Sequence, residues 1–206
     1  MAGMATRQRG RPRSFDRDAA LEKATLVFWE HGYETTSVAD LTRAIGIGAP
    51  SLYAAFGDKK ALFGEVVEAY AERYGSFGAR ALAEEPTARA GMARLLRESA
   101  AEFTDPAHPF GCLMIAAAIN CGTPEVEQAL RERRQATLDA FESRIRADIA
   151  AGLLPPSTDA RALARFSGGV MQGMSQQARD GATREELEML AETAMRAWPE
   201  STPAGS

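Results

Sequence analysis

A chain of 206 residues with 45% apolar and 25% charged side chains can fill one large or two modest cores, and away from its ends it lacks the composition of a disordered polymer. Its net charge is −4; its longest apolar run, Gly111 to Ile119, is too short for a bilayer and its N-terminal arginines have no apolar stretch behind them, so no membrane span or secretory signal is expected and the cytoplasm is the expected location. There is no Gly-rich phosphate loop, nucleophile elbow or paired metal-binding histidine, the two histidines being His31 and His108, so neither catalytic residues nor a cofactor nor a metal site is expected.

The first 17 residues set Arg7, Arg9, Arg11, Arg13 and Arg17 against Asp16 alone, a charge of +4, which leaves −8 for the other 189 residues. Gly10 and Pro12 interrupt this basic arm (residues 1–15), giving a segment suited to lie along phosphates or enter a minor groove. Such a tail is commonly just solvated; what favours DNA is the motif behind it. The first helix is expected from a cap at Asp16 to His31, with Leu21, Ala24, Thr25 and Phe28 on one stripe and Gly32 beyond its end. Trp29 and Tyr33 read as core aromatics, and His31 as a favourable partner of the helix C-terminus.

From Thr35 to Lys60 the chain reads TTSVADLTRAIGIGAPSLYAAFGDKK. Ser37 and Asp40 form a capping box, Val38, Leu41 and Ile45 recur on one helical face, and Gly46 can take the left-handed turn that ends the helix near Ala44. A second short helix follows, with Pro50 suited to its first position, Leu52 and Phe56 facing inward, and Ser51, Tyr53, Ala54 and Ala55 outward. Gly57 ends it, and Asp58 caps a further helix whose first turn carries Lys59 and Lys60, where helix N–H groups also point outward and suit a phosphate. This is the sequence form of a helix-turn-helix, and its outward residues are the expected DNA face.

The block GRPRSFDRDAALEKATLVFWEHGYETTSVADLTRAIGIGAPSLYAAFGDKKALFGEVVEAY, from about Gly10 to Tyr70, resembles the DNA-binding domain of TetR-type transcriptional regulators. The resemblance implies that Tyr53 and Lys59 contact DNA phosphates and that Thr36 and Ser37 sit against the DNA backbone. It also implies a basic residue where this chain has Ala49. With Gly48 and Ala49 at that point, bidentate reading of guanine is not available; Pro50 to Phe56 is the stretch expected in the major groove, and Ser51, thymine-methyl contacts of Ala54 and Ala55, and DNA shape carry more of the specificity. Arg9, Arg11 and Arg13 complete the expected DNA contacts.

The fourth helix, Asp58 through about Ser76, carries Leu62, Phe63, Val66, Val67 and Tyr70 and is expected to join a DNA-binding domain (16–57) through a connecting segment (58–76) to an effector domain (77–200), with a tail at 201–206. Further helices are expected at Thr87 to Phe103, Gly111 to Asn120, Pro124 to Ala151, Asp159 to Arg179 and Arg184 to Trp198. No strand pattern or repeat stands out, so the fold class is all-α.

Phe103, Phe110, Cys112, Ile115, Asn120, Phe166, Met171 and Gln172 mix aromatic, sulfur and amide groups, as an ordinary core or a ligand pocket would. The resemblance favours a pocket whose small-molecule effector tilts the fourth helix, and the few charges along Gly111 to Asn120 suit a mostly apolar molecule. Phe166, Val170, Gly173, Met174, Leu187, Leu190, Ala194 and Trp198 form apolar stripes that suit an intrachain core or a dimer interface. The resemblance favours a homodimer joined through its last two long helices into a four-helix bundle, and twofold symmetry then implies a near-palindromic double-stranded operator.

Cys112 and Cys121, with His108 four residues before the first, offer a thiol or soft-metal sensor as the alternative, although the spacing is not a recognised metal pattern and buried cysteine is ordinarily a small apolar residue. The segments Gly111-Cys112-Leu113 and Gln177 to Gly181 are similar to a TetR subgroup that includes a copper-responsive regulator. A helical ligand-binding protein without specific DNA binding is the remaining alternative; the arm and the helix-turn-helix argue against it.

Overall fold

The computed structural model describes residues 16–118 and 121–200, and every regular element among them is helical. In chain order these are α1 (Arg17–His31), α2 (Val38–Ile45), α3 (Ala49–Phe56), α4 (Lys59–Arg73), α5 (Ser76–Glu84), α6 (Ala88–Phe103), α7 (Leu113–Ala116), α8 (Pro124–Ala150), α9 (Ala160–Arg179) and α10 (Arg184–Met195). Polar side chains start most of the long ones: Asp16 accepts from the Ala19 N–H, Asp58 from Ala61, Thr87 from Ala90 and Asp159 from Ala162. Capping boxes open α2 through Ser37 and Asp40, and α10 through Thr183 and Glu186.

Two apolar clusters hold these helices. The first gathers Phe28, Trp29, Leu41, Leu52, Phe63 and Val66 of α1 to α4, with Leu113 and Ala117 from around α7 and Val126 and Leu130 of α8. The second joins Met92 and Leu95 of α6, Phe141 and Ile145 of α8, Met174 of α9, Leu187 of α10 and Trp198. Burying each large side chain stabilises the fold by about 1.5–3 kcal/mol before chain entropy is subtracted. Cys112 touches both clusters. By packing, therefore, α7 and the first turns of α8 lean on the N-terminal helices, although in sequence they lie inside the 77–200 segment.

Three expected elements differ. The fourth helix stops at Arg73, and after Tyr74 and Gly75 a separate α5 begins at Ser76. The helix expected from Gly111 to Asn120 shrinks to the four residues of α7: Gly111 takes φ +79° and Cys112 is extended, so a helix cannot start before Leu113. Pro50 is the second residue of α3, after Ala49, and suits that place for the same reason as the first: its missing N–H has no partner inside the helix.

Asp148 of α8 is almost fully buried, and its carboxylate accepts the Ala88 N–H at 2.6 Å, satisfying the start of α6 from across the fold. Arg144 lies 3.5 Å from the same carboxylate and donates to the Glu85 carbonyl, so the turn before α6 is tied to α8 twice.

Candidate DNA interface and the cavity behind it

The turn between α2 and α3 is set by Gly46, in the left-handed conformation at φ 85°, whose N–H and that of Ile47 both donate to the Thr42 carbonyl. Leu52 and Phe56 of α3 are buried, which leaves Pro50, Ser51, Tyr53 and Ala54 on the open face. Tyr53 is 48% exposed, unusual for an aromatic ring and appropriate to one that meets a partner. Ala49 is partly buried and offers no donor.

Around this helix the ion pairs are structural. Arg17 binds both oxygens of Glu65 at 2.6 and 2.7 Å and lies 4.6 Å from the Phe56 ring centroid, bracing α1, α3 and α4 together. Its charge, counted with the basic arm in the sequence, is thereby committed inside the protein. Arg9, Arg11 and Arg13 lie outside the described residues.

Two residues expected against the DNA backbone have partners within the protein. Thr36 is buried, its hydroxyl donating to the Gly32 carbonyl at 2.7 Å, so its side chain stabilises the end of α1. Ser37 is exposed, but its hydroxyl and N–H are both engaged with Asp40 as the cap of α2. An exposed cation that the sequence reading passed over, Arg43, stands on the outer side of α2 with its side chain 77% exposed and 3.2 Å from Asp40. Its place three residues after the capping Asp40 was the available signal.

Lys59 sits on the first turn of α4 with its ammonium 4.3 Å from the Tyr33 ring centroid. Partial burial pushes its pKa down, while the nearby Glu34 carboxylate acts the other way. Glu34, in the turn after α1, accepts the Thr123 hydroxyl at 2.7 Å and the N–H groups of Gly122 and Thr123, which hold its pKa below the ordinary glutamate value. A carboxylate from beside the DNA-binding motif thus holds the segment that leads into α8, whose own N-cap, Thr123, makes no side-chain cap hydrogen bond.

Behind the motif lies a cavity of about 430 Å³, within the range of about 300–1,000 Å³ usual for small-molecule sites. Phe103, Cys112, Ile115, Met171 and Gln172 line it as expected. Phe110 and Phe166, each 41% exposed, do not line it, and Asn120 lies outside the described residues. The other walls come from Tyr70 of α4 and Tyr74 just after it, Phe77 of α5, Leu95 of α6, and Arg134, Leu138 and Phe141 of α8. Tyr70 and Tyr74 stand four apart on one helical face, a spacing that could have placed them.

A model of the bacterial regulatory proteins of the tetR family matches residues 20–66, and one of the tetracyclin repressor-like C-terminal domain matches residues 88–195. The chain belongs to the TetR family. The HTH-type transcriptional repressor ComR of Escherichia coli K12 is 40% identical over 203 residues, covering 94% of each chain, and BdcR of the same organism is 32% identical over 178 residues, covering 86% of each. A solved cysteine variant of the TetR family transcriptional regulator CifR, in complex with 26-bp operator DNA, is 47% identical with a TM-score of 0.86, covering 92% of this chain and all of that one.

In this TetR-family chain the apolar positions of α9, α10 and the turn after it divide between buried and open ones. Met174, Leu187, Ala194 and Trp198 are buried in the protomer's own second cluster, and the Trp198 indole donates to the Ser167 hydroxyl at 3.2 Å. The expectation that they form a dimer surface is corrected on that ground: they have no surface left to give. Phe166 and Gly169 are exposed, Val170, Gly173 and Leu190 partly so, and a Cβ on Gly169 or Gly173 would meet no atom within 4 Å.

The cysteines have separate surroundings. Burial pushes the Cys112 thiol pKa up, only partly offset by its hydrogen bond with Tyr70, and burial also raises Cys121, beside Glu34. Both shifts disfavour the thiolate needed for nucleophilic or metal chemistry. His108 does not join them: it stacks on Trp29 at a centroid distance of 4.3 Å, with its Nε2 3.2 Å from the Glu102 carboxylate. No group of three His, Cys, Asp or Glu side chains suited to a metal occurs among the described residues, nor a helix long and apolar enough to cross a membrane.

Proposed function

We infer that this TetR-family regulator is a cytoplasmic homodimeric repressor that sets α3 of each protomer into successive major grooves of a near-palindromic operator, and leaves it when a small, mostly apolar effector fills the cavity. The observation that carries this reading is the course of α4. Its first turn holds Lys59 beside α3 and its last turn holds Tyr70 in the cavity wall, so one rigid helix touches both sites. A ligand that displaces Tyr70 and Tyr74 tilts α4 and changes the spacing between the two copies of α3.

Dimerisation is supported by the exposed Phe166 and the open small-residue surface at Gly169 and Gly173, which permits close helix approach across a twofold axis. The names of ComR and BdcR as repressors, and the operator bound in the CifR complex, support the sign of regulation and the DNA partner. The test is selection of bound fragments from a random DNA pool at moderate salt. Recovery of a palindrome supports the reading; salt-sensitive retention without sequence enrichment counts against it and returns the chain to a helical ligand-binding protein.

A further inference from the structure

The cavity is lined by two arginines, Arg133 and Arg134, and by no aspartate or glutamate, in a chain whose net charge is −4. Arg133 is paired with Glu68 of α4. Arg134 is not paired: its Nη1 donates to the Met114 carbonyl at 3.3 Å, and no carboxylate among the described residues lies within ion-pair distance. It is also partly desolvated, which pushes its pKa down, and Arg131 on the same helix adds like-charge repulsion that Glu127 opposes. A guanidinium removed from water without an anion is a cost to the folded protein, and its planar fork suits the two oxygens of a carboxylate.

The remaining walls are mostly apolar, with Phe77, Leu95, Phe103, Ile115, Phe141 and Met171 outnumbering the uncharged polar groups of Tyr70, Tyr74, Thr137 and Gln172. Such a chamber holds a hydrocarbon body, and its one unneutralised cation takes a head group of opposite charge. We propose that the effector is an amphiphilic anion, an apolar chain or ring system ending in a carboxylate that pairs with Arg134. This rests on the cavity being the effector site proposed above. It adds to that reading a charge requirement, which the apolar lining does not contain. When the head group binds, Arg134 is drawn from the Met114 carbonyl, which loosens α7 against the N-terminal cluster it packs in.

The test is calorimetric titration of the full-length protein with decanoate, 1-decanol and decylamine, which share a chain and differ in head-group charge. Decanoate is expected to bind about tenfold more tightly than decanol, with decylamine weakest. Arg134→Gln is expected to bring decanoate and decanol to within about twofold of each other while leaving decanol affinity unchanged, and Arg134→Lys to retain part of the preference. Preserved decanol binding shows that the variant cavity is folded. Equal affinities of the wild-type protein for decanoate and decanol, a preference undiminished in Arg134→Gln, or no binding of decanoate overturns the assignment. Operator release is read separately: decanoate that binds with the expected preference but leaves DNA affinity unchanged sinks the effector role of the cavity and not the head-group pairing.

Discussion

The Thr123 hydroxyl donates to the Glu34 carboxylate across 2.7 Å, joining two residues 89 apart in sequence and tying the start of α8 to the turn that precedes the helix-turn-helix. Because Glu34 also accepts the Gly122 and Thr123 N–H groups, its depressed pKa belongs to this contact and not to its exposed position. Thr123→Val is expected to move the Glu34 titration up toward the ordinary glutamate value, followed by NMR of its side-chain carboxyl. A depressed carboxylate pKa stabilises the fold above the unfolded value of about 4.3 and loses that contribution as pH falls through the lower folded value. The variant should therefore lack this contribution near neutrality, and its difference from the wild-type protein should vanish as pH falls through that window.

Tyr53 is exposed and Lys59 rests on the Tyr33 ring, so neither side chain holds the core together. Tyr53→Phe and Lys59→Ala should each weaken operator binding across sequences by about 1 kcal/mol or more, while the thermal midpoint stays near wild type. Wild-type-like affinity for both in a gel-shift titration would remove the phosphate-contact assignment. Ser51→Ala should instead change which base is preferred at one position of the half-site.

Gly111 has φ +79°, and a Cβ there would lie 2.7 Å from the Ser175 carbonyl oxygen of α9. Gly111→Ala therefore combines backbone strain with an overlap against main chain, together about 2–4 kcal/mol. Denaturant unfolding should show the loss, and a change of no more than about 0.5 kcal/mol, the size usual for an ordinary surface substitution, would mean that the segment before α7 does not press on α9 as described.

Phe166 of α9 and Trp198, just beyond α10, were both expected at the dimer surface but have opposite environments, 41% and 3% exposed. Phe166→Glu should convert a dimer to a folded protomer in sedimentation equilibrium, whereas Trp198→Ala should keep the assembly state and cost about 3–5 kcal/mol of stability. The reverse pattern would move the interface to α10.

The helix-turn-helix was legible because its signals are local: Ser37 and Asp40 cap one helix, Gly46 turns the chain, and Leu52 and Phe56 mark the inner face of the next. The α5 helix was not, because Gly75 precedes it without a side-chain cap and Gly78 lies in its interior, both of which read as breaks. The dimer stripe was misdrawn at Leu187, Ala194 and Trp198 for a different reason: apolar periodicity reports that a helix face is covered, not whether the cover comes from the same chain. Five of the eight expected pocket residues line the cavity, yet its two arginines were passed over, since on α8 they read as part of a solvated charge run. The Glu34–Thr123 contact has no sequence signature at all.

Arg179, near the end of α9, donates to the carbonyls of Trp29 and Glu30 at the end of α1 and to that of Phe110. One guanidinium therefore references the reading head of each protomer to the helix that carries the exposed Phe166. In the proposed dimer this acts as a gauge block: the separation of the two recognition helices is measured from the symmetry axis through a rigid fork rather than through a pliable joint. An ammonium could not serve three carbonyls in that fixed plane, and the breadth of half-site spacings the protein accepts would grow with the looseness at this one side chain.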